Sequence, residues 1–501
     1  MRTQQPIRPE RTSLPSPAEE SMLPQVQTPD GTQPGLGFSL TALGTIIAVL
    51  AIGLLRFDAP LPLMMVIGFG VALAFAAMRK VSYENAENAA FDMVRRGLQP
   101  LLIFVAVGAL IASWIYSGTV PTMIYYGLEL ISPAWFLPTA LILCAITSFI
   151  NGTNFATVAT IGLALMGVAT ALGIPLGVAA GAIICGALFG DKMSPLSDTT
   201  VMAPGLAGAE LFAHIRHMMW TTVPAIVISL AIFTVMGFSY AIDAEGLARV
   251  QTASQGLTSA FNIGLIPLLP PLLVFVLLLL KVDAFPAIGL GALAGVPVAV
   301  YYQGAALTDV LLALWEGYIA PESLGDVAGL LSGGESGGVL KLIGLAAIVI
   351  FALAMTGALS AAGVMQTVLD SLGRKLNTAR KLVPATLGIT VALNAIGGAV
   401  NFAVAMGTST LRPLFAREGV AAKNLSRATE DAANTTGVFI PWNATAVFTA
   451  ASLGVSVSAY APWVFFAFIT PLISLVYGLT GFTITRGPGV EPADPRVDAA
   501  T

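Results

Sequence analysis

The sequence predicts an all-α polytopic membrane protein built from two inverted-topology repeats with discontinuous helices, and three observations carry that expectation. First, 56% of the 501 residues are hydrophobic and only 10% are charged, against about 25% charged in an ordinary soluble domain. The mean hydropathy is +0.85. Lipid accepts that much apolar surface on the outside of a helical bundle, whereas water does not. Second, apolar runs of spanning length recur along the chain, some continuous and some broken by Asn, Gly, Pro, Asp and Thr clusters. Third, the broken runs occur in both halves with similar residues in the same order.

Taken in order, residues 1–35 are rich in Pro, Gln, Ser and Thr without an apolar run and read as a disordered cytoplasmic tail, not a cleaved signal peptide. Continuous runs near 38–55, 60–78, 100–116, 218–238, 264–280, 284–303, 338–358 and 460–482 are long enough to span. The runs 135–172, 175–211, 384–411 and 428–453 are interrupted. Together they suggest about ten to thirteen membrane elements. The expected division is a first repeat over 36–240, a second over 264–482 and a C-terminal tail over 483–501.

Arg2, Arg8 and Arg11 precede the first span, and Arg79, Lys80, Arg95 and Arg96 follow the second, so both regions read as cytoplasmic in a cell (inner) membrane. The link after 284–303 has the opposite signature, carrying Asp309, Glu316, Glu322, Asp326 and Glu335 without Lys or Arg. Each half thus begins with two spans and a polar link, on opposite sides, as inverted repeats do. Short matches agree: Asn154-Phe155-Ala156 then Asp198-Thr199-Thr200 and Pro204, against Asn401-Phe402-Ala403 then Asn434-Thr435-Thr436 and Pro441.

Chemistry concentrates in Gly190-Asp191-Lys192-Met193-Ser194-Pro195-Leu196-Ser197-Asp198-Thr199-Thr200, which interrupts an apolar run. A charge at bilayer depth costs at least about 2.5–3.5 kcal/mol, so such groups face a cavity or a partner. Pro195 frees a helix carbonyl and the Ser and Thr residues add hydroxyls. Unwound backbone lined by oxygens suits a hard cation such as sodium. The plainer reading is that Asp191 and Lys192 form a surface loop pair and Asp198 a helix N-cap. In the second half, Arg427 and Asp431 lie four apart and would share a helix face as an ordinary pair, with Glu430 beside them. Asp431 also abuts Asn434-Thr435-Thr436 and the Pro441-Trp442-Asn443 break, which makes it the counterpart of the first-half acids. The expected ion- and substrate-binding set is Asp191, Ser194, Asp198, Thr199, Asn151 and Asn154 with Asn401, Asp431, Asn434 and Thr435, and Asp191, Asp198 and Asp431 are the expected sodium carboxylates.

The eleven-residue motif, with Lys423-Asn424-Leu425-Ser426-Arg427, Glu430-Asp431, Ile440-Pro441-Trp442-Asn443 and His214-Ile215-Arg216-His217, resembles the NhaC-type sodium/proton antiporters of the ion transporter superfamily over about residues 38–482. The resemblance implies a helical transporter with inverted repeats that exchanges cytoplasmic sodium for external protons. Around Asn151–Phe155 and Asn394–Asn401 amides stand where the family is expected to carry hydroxylated residues. Relatives of this type include exchangers of malate and lactate. The second expectation is therefore a sodium- or proton-coupled exchanger of a small organic acid or amino acid, with Asn154, Asn401 and Asn443 as amide contacts.

Other classes fit poorly. A net charge of −4 leaves no basic face for nucleic acid. Asp191 and Asp198 belong to one short motif, without the Gly-x-Gly-Asp of an intramembrane aspartyl protease, and the two histidines lack the Glu and spacing of a zinc hydrolase. No phosphate-cradling loop is present, so no cofactor is expected and transport runs on an ion gradient; the chain is not expected to be an enzyme. Cys144 and Cys185 read as small buried hydrophobes, the sequons at Asn151, Asn424, Asn434 and Asn443 as intramembrane amides, His214 and His217 as polar residues at a span's cytoplasmic end, and Lys281 with Asp283 as a snorkelling pair. A homodimer is part of the expectation.

Overall fold

The computed structural model describes residues 32–240, 244–321, 324, 326–331, 337–373 and 379–487. Among them regular structure is helical apart from an isolated bridge between Val420 and Arg486. That follows from the composition, because in hydrocarbon only a helix or a closed barrel satisfies its own backbone. Eight helices are long and apolar enough to cross a membrane, or ten if each of two bent pairs counts as one span. The chain is a multi-pass membrane protein. Most of the tail expected over 1–35, the link acids Glu322 and Glu335, and most of 483–501 lie outside the described residues.

Several spans differ from their apolar runs. The polar link after the second span is the helix Tyr83–Arg96, capped by the Ser82 hydroxyl and bent 47° from the apolar helix that follows. Its Ala86, Ala89, Ala90 and Met93 are buried, and small residues let it lie close against Val339–Ala361, where a Cβ on Gly357 would strike the Ala89 carbonyl. Average polarity hid a one-sided helix. The run 264–280 yields the shorter helix Ile266–Leu279, and 460–482 yields Phe465–Thr480. After the last helix, residues 483–487 dock back: Thr483 accepts from Arg427 Nη1 at 2.7 Å, and Ala421 N donates to the Thr485 carbonyl at 3.0 Å.

The backbone repeats itself. Gly152 and Gly398, 246 residues apart, are both left-handed (φ 72° and 61°), and each precedes an extended residue, Thr153 (φ −149°) or Ala399 (φ −148°), before a new helix. The same spacing relates Pro195 to Pro441 and left-handed Gly208 to Gly454. Left-handed Gly118 and Gly363 are 245 apart, and Lys80 and Lys281 (φ 58° and 61°) 201 apart. This register differs from the one suggested by short matches, since it pairs Asn401 with Phe155 and Asp198 with Ala444, not Asn434. Glycine and proline breaks recur at this spacing, while the side chains 246 residues apart differ. The halves also interlock: Tyr83–Arg96 lies on Val339–Ala361, while Ala284–Pro297 lies on Leu98–Tyr116, with Trp114 Nε1 donating to the Gly291 carbonyl at 3.2 Å.

A close helix pair holds the site. Phe136–Asn151 and Leu176–Met193 meet through Gly186 and Gly190, which leave no room for side chains against the backbone of the facing helix, and Ser148 Oγ donates to the Ala187 carbonyl at 2.7 Å. Cys144 and Cys185 are free and buried in this pair.

Candidate functional site

Pro195 cannot continue the helix Leu176–Met193, so the chain leaves it at extended Ser194 (φ −78°, ψ 129°) and restarts as Asp198–Ala207. Asp191 therefore sits at a helix end buried inside the bundle. Opposite it, the Gly152–Thr153 break starts a helix at Asn154, whose Nδ2 donates to Asp191 Oδ2 at 2.5 Å. Asn151 organises that break, accepting from Thr153 N at 2.9 Å and donating to Thr157 Oγ1 at 3.1 Å.

Both broken regions open onto one cavity of ≈ 620 Å³. Asn151, Asn154, Asp191, Ser197, Asp198 and Thr199 line it from the first half, and Asn401, Asn434 and Thr445 from the second. It is also lined by Arg96 and by Lys281 and Asp283 of the link between the helices Leu269–Leu279 and Ala284–Pro297. Asp191 is only 6% exposed, whereas Asp198 is exposed. Thr199 links the wall to the interior: its hydroxyl donates to Glu430 Oε1 at 2.8 Å and accepts from Asn434 Nδ2 at 3.3 Å. Asn434 Oδ1 is buried without a hydrogen-bond partner, an oxygen left over beside the cavity.

Behind this wall lies a dry layer of charge on the helix Ala422–Thr436, in which residues 424–435 are all buried. Asp431 Oδ1 is 2.9 Å from Lys192 Nζ and accepts from Thr221 Oγ1 at 2.9 Å, while its Oδ2 is 3.9 Å from Arg427 Nε. Glu430 Oε2 lies 3.6 Å from His214 Nε2, and His214 Nδ1 is 2.8 Å from Ser426 Oγ. Buried charges persist only when paired and hydrogen-bonded, and here each acid meets a basic group from another helix.

Seven of the ten expected site residues share the cavity: Asn151, Asn154, Asp191, Asp198, Thr199, Asn401 and Asn434. Three do not line it. Ser194 instead accepts from Leu196 N at 3.2 Å and shapes the turn after Asp191. Thr435 Oγ1 donates to its own helix at Asp431 O, 2.6 Å away. Asp431, expected with Asp191 and Asp198 as a sodium carboxylate, is the counter-ion of Lys192 and Arg427, because two cations reach it before any solute does. His214 lies in the first turn of Leu211–Phe238, at a span's end as expected, and is fully buried against Glu430. Lys281 and Asp283, expected as a snorkelling pair, are both exposed and line the cavity. Glu430, expected beside the Arg427–Asp431 pair, meets His214, and His214, His217 and Thr221 recur at helical spacing, announcing a polar face that needs a polar partner.

Among the described residues no three His, Cys, Asp or Glu side chains gather as metal ligands. The cavity offers one buried carboxylate, amide oxygens and hydroxyls, a donor set for a weakly held monovalent cation in transit.

Residues 186–482 match the model of the Na+/H+ antiporter family. The chain is 37% identical over 454 residues to the Na(+)/H(+) antiporter NhaC of Alkalihalophilus pseudofirmus, covering 90% of this chain and 97% of that one. It is 34% identical to the malate-2H(+)/Na(+)-lactate antiporter of Bacillus subtilis (88% and 94% covered) and 34% identical to that organism's Na(+)/H(+) antiporter NhaC (79% and 87% covered).

Proposed function

This chain belongs to the Na+/H+ antiporter family, and from that premise we propose that it is a secondary active transporter that exchanges sodium for protons across the cell membrane, with Asp191 as the carboxylate for which the two ions compete. The observation that carries the proposal is the placement of Asp191: buried, on the cavity wall, at a helix end, held by the Asn154 amide. A carboxylate that takes either ion in turn couples their movements without a separate device, because each bound ion excludes the other. Ser197, Thr199 and Asn434 supply further oxygens, and Asp198 at the mouth attracts cations. We take the two halves, 36–240 and 264–482, to face opposite ways in the bilayer with the N-terminus cytoplasmic, and a homodimer through the continuous spans belongs to the same reading. Purified chain in vesicles loaded with a pH dye tests it. Sodium pulses should move protons in the wild type, whereas Asp191→Asn should abolish the signal; full activity in Asp191→Asn would refute the assignment.

One observation favours the second reading, exchange of a small organic anion. The cavity is far larger than a bare sodium ion needs, and Arg96 and Lys281 line it together with the amides. A carboxylate solute would be met by those cations and by Asn154 and Asn401. Thermal unfolding separates the readings: stabilisation by sodium or lithium alone supports simple antiport, and stabilisation that requires malate or lactate as well supports the exchanger.

A further inference from the structure

The cavity reaches Thr445, on the first turn of the helix Ala444–Leu453. A second cavity of ≈ 540 Å³ begins further along the same helix, where Val447 and Ala451 share its wall with Lys341 and Ile348 of Val339–Ala361. Between the two stands Phe448, 1% exposed, its ring stacked on Phe104 at 5.5 Å and edge-on to Phe155 at 4.7 Å. The three rings come from a continuous helix and from the broken segments of both halves.

The two cavities are repeat equivalents. The 245-residue spacing of Gly118 and Gly363 carries Arg96 onto Lys341 and Ile103 onto Ile348. The 246-residue spacing of Pro195 and Pro441 carries Met202 onto Phe448. Arg96, Ile103 and Met202 line the first cavity, and Lys341 and Ile348 line the second. Each therefore runs from a basic residue near the start of a long helix to the short helix that follows a proline break. They differ at the plug, where Met202 and Val349 occupy the positions of Phe448 and Phe104. Packed rings close an apolar passage to ions, which cannot cross a dry constriction.

We propose that the second cavity is the access path to the site from the opposite face of the membrane, closed in this structure by the Phe104–Phe155–Phe448 cluster. It rests on the exchange reading above, and its occupants once open are water and the transported cation. Moving the broken segments against Leu98–Tyr116 would draw Phe155 and Phe448 off Phe104 and open it.

Cys144 and Cys185 are buried and free, so replacing both with Ala gives a background for single cysteines in the full chain. Ala399→Cys on the first cavity and Ala451→Cys on the second are probed with a membrane-impermeant maleimide in oriented vesicles. The expected result is labelling from opposite faces, with sodium or pH conditions that speed one reaction slowing the other. Labelling of both from the same face, or no labelling of Ala451→Cys while exchange runs, would overturn the proposal. Phe448→Ala, or Phe448→Leu if the alanine variant does not fold, should let labelled sodium leak without proton counterflow, and tightly coupled exchange in the folded variant would overturn the plug. Opposite-face labelling in vesicles without any sodium–proton exchange would uphold the path and sink the function reading instead.

Discussion

Asp431 stands between two cations, and the order in which substitutions there destabilise the protein follows from that arrangement. Lys192 Nζ and Arg427 Nε lie 2.9 and 3.9 Å from its two oxygens, all in fully buried side chains. Removing one partner of a buried pair costs about 3–5 kcal/mol, because the other charge stays dry and uncompensated. Lys192→Met leaves Asp431 with Arg427 and the Thr221 hydroxyl, so it falls at the low end, about 3 kcal/mol. Asp431→Asn strips two cations of their counter-charge and falls at the high end, about 5 kcal/mol. Combining them removes one of the two orphaned cations, so the double variant should be more stable than Asp431→Asn alone. Titration of purified protein with SDS in mixed micelles, followed by circular dichroism, gives the order: wild type, Lys192→Met, the double variant, Asp431→Asn. Asp431→Asn as stable as Lys192→Met, or no rescue in the double variant, would refute the counter-ion role.

The remaining outcomes are tied to single features. Asp198 is exposed at the mouth, so Asp198→Asn should keep exchange but raise the sodium concentration for half-maximal rate roughly threefold, as a screened charge would; loss of all exchange would move the competition site from Asp191 to Asp198. Gly190→Ala would bring a Cβ to 2.5 Å from Phe149 N and 2.6 Å from Ser148 Cβ, which overpacks the helix pair and should cost about 1–3 kcal/mol in the same micelle titration; an unchanged midpoint would contradict the close approach. Ala284 and Ala399 both line the cavity. Cysteines there should stop transport when bridged, while bridges within 264–303 should not, and transport that survives the first bridge would rule out motion of the broken segments as a unit.

The fold was legible because lipid leaves few choices: apolar length gives spans, and Gly, Pro and Asn clusters give breaks. Tyr83–Arg96 was not, because its burial depends on Ala89 meeting Gly357 of a helix some 270 residues away, and no local window holds both. Within the site, Asp191 and Asn154 were legible as polar groups at breaks in apolar runs. The pairing of Asp431 with Arg427 was legible from their spacing, whereas its burial against Lys192 was not, because Lys192 arrives from the other half. Likewise Asn-Phe-Ala recurs one residue out of step with the left-handed Gly152 and Gly398, a mismatch that only the backbone shows.

Calorimetric titration of sodium into the purified chain, in two buffers of different ionisation enthalpy at one pH, tests the competition at Asp191 most directly. The wild type should release protons on binding sodium, seen as a buffer-dependent heat, and its apparent affinity should fall as pH falls, since protons then hold the carboxylate. Asp191→Asn should bind no sodium and release no protons. An Asp191→Asn variant that binds sodium with wild-type affinity and the same proton release would contradict the account.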